Sequence, residues 1–255
     1  MTGSARGRTG GSRYGEGVPL VAAAVCPHPP LIVPELAGAA APELDDLRAA
    51  AAAAVTRLLA ARPDCVVVLG SGPATGWIIP PATGSLRAWG VDLTVPLVPA
   101  LPDGEAVLPL SLTVGAWLLN RQRVGVRVVG AQVSPEATLG ELGGFADQVH
   151  EYRPRVALLV MGDGSACRGR QAPGYDDPRA EAYDEGVARA LADADPDALL
   201  GLDPALSAEL KVAGRAPWQV LAATARAAGG DWRGELSYAA APYGVSYFVA
   251  NWAPA

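Results

Sequence analysis

The sequence has 255 residues, half of them hydrophobic, with 18% charged residues and a formal net charge of −6 at pH 7. This length allows one domain with a full hydrophobic core, and the acidic balance supplies no basic surface for a nucleic acid. The longest apolar runs are too short to cross a bilayer. The composition therefore predicts neither a nucleic-acid partner nor a membrane partner.

The three cysteines are odd in number and have neither metal-binding nor redox spacing. Disulfides are rare in a reducing compartment, so we expect reduced thiols in a cytoplasmic protein. Residues 1–17 are mostly Gly, Ser and Arg with little to bury, and are predicted to form a disordered tail. Residues 18–255 contain no internal repeat and no linker, and are predicted to form one domain.

From Val18 the sequence alternates short apolar runs with helical segments. The first strand is predicted in VPLVAAAVC, followed by a helix in PELDDLRAAAAAAVTRLLAAR with its acidic residues early, as the helix dipole favours. A buried strand is predicted in CVVVLG, VPLVPA is a candidate for a further strand, and a helix is predicted around Pro109 in EAVLPLSLTVGAWLLN. A strand in VGVRVVGAQV, a helix in LGELGGFADQVH and a strand in RVALLVMG follow.

The C-terminal third contains helix starts and two closing strands. Asp177, Asp195 and Asp203 each precede a proline, a pair that begins helices efficiently. A helix is predicted in APWQVLAATARAAGG, and strands in GELSYAAA and GVSYFVANW. Tyr243 and Tyr247 could line a cleft there, although tyrosine is common in strands. The whole pattern predicts an α/β fold: a single domain with a mixed, mostly parallel central sheet and helices on both faces.

Three predicted strands are followed by polar residues that could do chemistry. His28 follows the first strand in CPHPPL, Ser71 and Gly72 follow CVVVLG, and Asp163 follows RVALLVMG. Ligands of α/β sheets bind at the carboxyl ends of strands. If these strands are neighbours, His28, Ser71 and Asp163 converge on one cleft.

Each of these residues has a functional and a structural interpretation. In the functional interpretation, the prolines around His28 hold the imidazole in position as a metal ligand or a general base. In the structural interpretation, His28 is a turn residue whose ring nitrogens bond backbone carbonyls. Asp163 could bind a metal, orient the histidine or accept a proton, or cap a helix. Ser71 and Gly72 could cradle an anion, although a tight turn is favoured. Arg168 would suit a carboxylate or phosphate.

The chain resembles the LigB-like superfamily, which contains the class III extradiol ring-cleaving dioxygenases and the Memo-like proteins. The resemblance runs from about Val18 to Trp252, looks most like an actinobacterial branch, and rests on segments in the same order: CPHPPLIVPEL, VVVLGSG, EAVLPLSL, ALLVMGDGSA, APGYDDPRAEAYDEGVARAL, ELKVAGRAPWQVLAA and GVSYFVA. It implies a non-haem Fe(II) held by two histidines and a carboxylate, with catechol and dioxygen bound side by side. A further histidine serves as acid and base.

Carried over residue by residue, the resemblance makes His28 the first metal ligand and, with Asp163, a catalytic residue. It implies Glu235 as the carboxylate ligand before the closing strand, with Asp163 as a further ligand. The second ligand histidine is absent from GSGP, and Ala166 stands where the family has its acid–base histidine. His150 lies on a predicted helix. The implied cofactor is Fe(II) or another divalent ion, or no metal at all.

Three functions remain open. The first is an extradiol dioxygenase-like oxidoreductase acting on a small aromatic ligand. The second is a non-catalytic, Memo-like or small-anion-binding relative whose cleft contains His28, Asp163, Ser165 and Arg168. The third is a metal-independent hydrolase using Ser71 or Ser165 with His28 as its base; it ranks last because no G-x-S-x-G elbow exists. An oligomer is compatible with all three.

Overall fold

A seven-stranded mixed sheet forms the centre of the structure, a computed structural model that describes residues 20–99, 101, 106–152 and 155–255. The predicted tail, residues 1–17, lies outside the described residues. The strands are, in chain order, β1 (Leu20–Cys26), β2 (Cys65–Ser71), β3 (Gly76–Ile78), β4 (Ala82–Ser85), β5 (Thr94–Pro96), β6 (Ala106–Val107), β7 (Arg127–Val133), β8 (Val156–Met161), β9 (Trp232–Ala240) and β10 (Tyr247–Pro254).

The strand order in the main sheet is β3-β7-β2-β8-β1-β10-β9. Strands β7, β2, β8 and β1 pair in parallel, while β3, at one edge, and β10 run the other way. Since β9 is antiparallel to β10, it runs with the four parallel strands, so most strands share one direction. The predicted mixed, mostly parallel sheet is confirmed. A small second sheet, in the order β5-β4-β6, lies in the segment between β3 and β7.

The helices connect the strands and cover the sheet. They are α1 (Pro34–Ala37), α2 (Asp45–Ala60), α3 (Leu110–Asn120), α4 (Leu139–Glu151), α5 (Arg179–Asp193), α6 (Pro196–Leu200), α7 (Pro204–Glu209) and α8 (Arg215–Ala228). Their starts follow from capping chemistry. Asp195 and Asp203 accept hydrogen bonds from backbone N–H groups in the first turns of α6 and α7, as the Asp-Pro pairs predict.

Successive strand residues face opposite sides of the sheet, and each side has its own core. In β1, Ala23 and Val25 pack with residues of α4, α5 and α8, on what we call the α8 face. Ala22, Ala24 and Cys26 pack with residues of α2 and α3, on what we call the α2 face. Helices therefore cover both faces, as predicted.

Two further expectations concern the environment of the chain. No helix in the described ranges has both the length and the apolar content needed to span a bilayer. All three cysteines are free and buried, which agrees with the expectation of reduced thiols.

Candidate functional site

The loops after β1 and β8 bring His28 and Asp163 together. These strands are parallel neighbours, and their ladder ends at the pair Cys26 and Met161, so the two loops leave the sheet side by side. The backbone N–H of His28 donates to Oδ1 of Asp163 at 2.7 Å, and the ring Nδ1 lies 3.5 Å from the same oxygen. Two of the residues that sequence analysis selected thus form one contact at the carboxyl edge of the sheet.

Both members of this pair are largely removed from solvent. His28 is 8% exposed, and its Nδ1 is buried without a hydrogen-bond partner among the described residues. The side chain of Asp163 retains 15% exposure. Burial raises the pKa of Asp163, and the nearby His28 opposes that shift through its charge and its backbone N–H. An unpartnered buried nitrogen costs about 1–3 kcal/mol, so a slight ring rotation toward Asp163 or a bound polar group would be favourable.

Tyr247 of β10, which sequence analysis named as a residue that could line a cleft, lies beside the pair. The β1–β10 ladder pairs Ala24 with Asn251 and Val25 with Ala250, and its continuation places Tyr247 opposite His28. The Tyr247 side chain packs on the α2 face and is 4% exposed. Burial raises its pKa, and the negative charge of Asp163 adds to the shift. Its hydroxyl has no hydrogen-bond partner in the described part of the chain.

The structure does not bring the side chains of Ser71 and Gly72 into contact with the His28–Asp163 pair. Ser71 continues the alternation of Val67 and Leu69, which pack on the α8 face. Its hydroxyl donates to the carbonyl of Ala213 at 2.6 Å. Ser71 and Gly72 line a separate depression of about 400 Å³ together with Ser134, Pro135 and Glu136. Residues at the ends of neighbouring parallel strands bring their side chains together only when those side chains lie on the same side of the sheet.

Ser165 and Arg168 belong to a buried cluster around Asp184 of α5. Asp184 is 2% exposed and accepts hydrogen bonds from the backbone N–H of Ser165 at 2.9 Å, its hydroxyl at 2.5 Å and the hydroxyl of Ser246 at 2.6 Å. Arg168 lies 3.6 Å from Asp184 and donates to Glu181 at 2.8 Å. The Arg168 guanidinium is therefore paired with carboxylates of α5. The Ser165 hydroxyl, which a hydrolase would need as nucleophile, is fully buried.

The Asp184 cluster anchors the loop that carries Asp163. The N–H of Gly164 donates to the carbonyl of Ser246 at 2.7 Å, and the N–H of Ser246 donates to the carbonyl of Ser165 at 2.8 Å. Since Ser246 directly precedes Tyr247, these bonds also fix the start of β10 beside the pair. The backbone contacts and the buried carboxylate together explain how a loop without regular structure can hold Asp163 in place.

Glu235 is not part of this site. It pairs with Asn251 in the β9–β10 ladder, which puts it level with Ala24 and well before the strand end that leads to His28. Its carboxylate forms an ion pair with Arg57 of α2. The structure therefore keeps the proposed carboxylate ligand two strands away from β1, on the edge strand of the sheet.

The donors at the His28–Asp163 pair do not fit the iron that the resemblance implies. A catalytic site of that kind uses about three protein ligands, and the pair supplies one imidazole and one carboxylate. Over residues 20–99, 101, 106–152 and 155–255, no group of three or more His, Cys, Asp or Glu side chains is arranged to hold a metal ion. We therefore derive no chemical step through a metal.

Comparison with solved structures gives distant likenesses. No family model and no curated protein matches this chain. A crystal structure of the uncharacterized protein JW3007 from Escherichia coli K12 is similar with 11% sequence identity and a TM-score of 0.47, covering 91% of this chain and 99% of that chain. A likeness at this level leaves the function to be argued from the residues of the chain itself.

Proposed function

We propose that this protein is a relative of the LigB-like superfamily that binds a small aromatic molecule beside His28 and exchanges a proton with it, without iron-dependent ring cleavage. The observation that carries the proposal is the contact of His28 with Asp163 at the carboxyl ends of β1 and β8, in which Asp163 lies beside Nδ1 of the ring. A histidine oriented by a carboxylate at the ends of parallel strands is typical of a ligand site.

Each residue of the pair has a distinct part in this proposal. Asp163 holds the backbone of His28 and lies beside its Nδ1, which leaves the other ring nitrogen to accept or donate a proton on the ligand. The hydroxyl of Tyr247, which has no partner among the described residues, would bond a polar group of the same ligand. Acid–base work of this kind needs positioning and a proton acceptor, and it does not need a third metal ligand.

The charges around the pair favour an uncharged ligand over an anion. Asp163 would repel a carboxylate or phosphate when ionised. Arg168, the cation that sequence analysis offered for an anion, is held by Glu181 and Asp184. A small aromatic molecule with a hydroxyl group, the ligand type that the resemblance implies, suits these surroundings better.

Binding of catechol to protein purified without oxygen tests the proposal, with bound metal measured by elemental analysis of the same sample. We expect catechol to bind metal-free protein, by calorimetry or ligand-observed NMR. His28→Ala should weaken catechol binding about tenfold. The variant removes the hydrogen-bond partner of a polar group on the ligand, and leaving such a group unpaired costs about 1–3 kcal/mol. His150→Gln, which changes the histidine on α4, is the matched control.

Two outcomes would contradict this function. The first is catechol binding of equal strength in wild type and His28→Ala. The second is stoichiometric iron together with a yellow ring-cleavage product that His28→Ala abolishes, since that result would restore the dioxygenase hypothesis.

The proposal includes a cytoplasmic location and no nucleic-acid partner. Three free, buried cysteines support a reducing compartment. The net charge of −6 disfavours binding to a polyanion.

A further inference from the structure

A second cavity lies toward the opposite end of β1 from His28. It has a volume of about 550 Å³ and is formed where α2 packs over β1, β10 and β9; we call it the α2–β9 cavity. Its volume is in the range of small-molecule sites, roughly 300–1,000 Å³. Neither the resemblance nor the proposed function assigns it a role.

The walls of the α2–β9 cavity are mostly apolar. Val21 and Ala22 of β1 form one side, Leu58 and Ala61 belong to the C-terminal end of α2, and Pro254 closes the end of β10. Apolar walls with a few converging polar groups are the usual composition of a ligand site.

The polar groups of the cavity are two arginines and one glutamate. Arg233 and Glu235 alternate with residues of β9 that pack on the α8 face, such as Trp232 and Leu236, so both side chains reach the α2 face. Arg57 approaches from α2 and forms an ion pair with Glu235. Arg233 forms no ion pair within the described residues.

These three side chains leave one positive charge uncompensated in the cavity. Two guanidinium groups and one carboxylate, all on exposed side chains, line the cavity, in a chain whose formal net charge is −6. A guanidinium offers a planar pair of N–H donors that matches a carboxylate. One surplus positive charge balances one negative charge, so a carboxylate fits the cavity better than a phosphate that carries two.

We propose that the α2–β9 cavity binds a monocarboxylate with an apolar body. The carboxylate pairs with Arg233 and with the side of Arg57 that Glu235 leaves open, and the apolar body lies against Val21 and Ala61. The site is independent of the His28–Asp163 pair, because β1 separates them along most of its length. Glu235, which the resemblance made a metal ligand, instead positions Arg57.

Calorimetric titration with octanoate tests this site, with 1-octanol as the uncharged comparison. Octanoate should bind about tenfold more tightly than 1-octanol, a difference of about 1.4 kcal/mol, because hydrogen bonds between a guanidinium and a carboxylate are stronger than those to a neutral hydroxyl. Arg233→Gln should weaken octanoate binding about tenfold. Glu235→Gln should strengthen it, because it frees Arg57 from its internal partner. Arg87→Gln, which changes an exposed arginine paired with Asp92, should leave the affinity unchanged.

The proposal is overturned if octanoate binds no better than 1-octanol, or if Arg233→Gln and Arg87→Gln bind octanoate equally well. Thermal unfolding of each variant without ligand shows whether the fold is intact. His28→Ala should bind octanoate like the wild type, so failure at this cavity and failure of the proposed function are separate results.

Discussion

Asp163 links the protonation of the site to the stability of the fold. Burial raises its pKa above the ordinary 3.8, so the folded chain holds this proton more tightly than the unfolded chain. Protonated Asp163 therefore contributes stability that is complete below the unfolded pKa and is lost as the pH rises through the raised folded pKa. Asn at this position keeps an oxygen that can accept from the N–H of His28 and cannot ionise.

We accordingly expect Asp163→Asn to gain stability relative to wild type as the pH rises from the ordinary aspartate range toward neutrality. Urea unfolding of both proteins across that range measures the difference in the free energy of unfolding. A difference that stays constant with pH would contradict the assignment of the raised pKa to Asp163.

The residues of the site differ in how far the sequence could reveal them. His28 and Asp163 follow strands, so their meeting could be anticipated from the rule that strand ends collect ligands. The direction of the Ser71 side chain could not be predicted, because β2 is buried on both faces. A strand without alternating polar residues does not show which face its last side chain lies on. The position of Tyr247 depends on the register of β1 and β10, and the position of Glu235 depends on β9 being an edge strand. Neither the register nor the strand order can be read from a local sequence pattern.

At the scale of elements, the sequence predicts helices and strands well where it contains long apolar runs or clear helix start and stop residues. The parallel strands β1, β2, β7 and β8 coincide with apolar runs. Helix α8 ends at Ala228, just before Gly229, whose φ is positive, as is common for a glycine that follows a helix. The short strands β3, β4 and β6 were not predicted, because two to four residues carry too little periodicity. The segment EAVLPLSLTVGAWLLN becomes helical only after Pro109, since proline suits a helix start and not its interior.

Two glycines in different elements should respond oppositely to an added methyl group. Gly186 lies inside α5, and no atom lies within 4 Å of the position that a Cβ would occupy there, so Gly186→Ala should stabilise the fold by about 0.5–1 kcal/mol. At Gly162, after β8, a Cβ would meet the Cα of Gly214 at 2.6 Å and the indole of Trp218 at 2.9 Å. Gly162→Ala should destabilise the fold by about 1–3 kcal/mol.

Urea unfolding of the two variants beside the wild type measures both effects. Equal stability of Gly162→Ala and wild type would show that β8 and α8 pack less closely at this point than the structure describes.

At the scale of the whole molecule, the sheet should open from its edges. Every residue of β8 is buried, and β8 lies between β2 and β1. Among the described residues, β9 is an edge strand that pairs with β10, and it has exposed residues along its length. Buried central strands open only with global unfolding, while exposed edges open locally. Hydrogen exchange followed by mass spectrometry should therefore protect β2 and β8 longest and β3 and β9 least; equal protection of β8 and β9 would contradict this order.

The Asp184 cluster has a consequence for the time at which the site can form during translation. It ties Ser165 to Ser246, so the loop that carries Asp163 lacks its last anchor until the ribosome has added the residues around Ser246. His28 emerges among the earliest residues of the domain, yet its surroundings are complete only after β10 has inserted between β1 and β9. A nascent chain of intermediate length thus presents His28 before Asp163 and Tyr247 are fixed beside it, and chaperones that act during synthesis would meet the protein in that state.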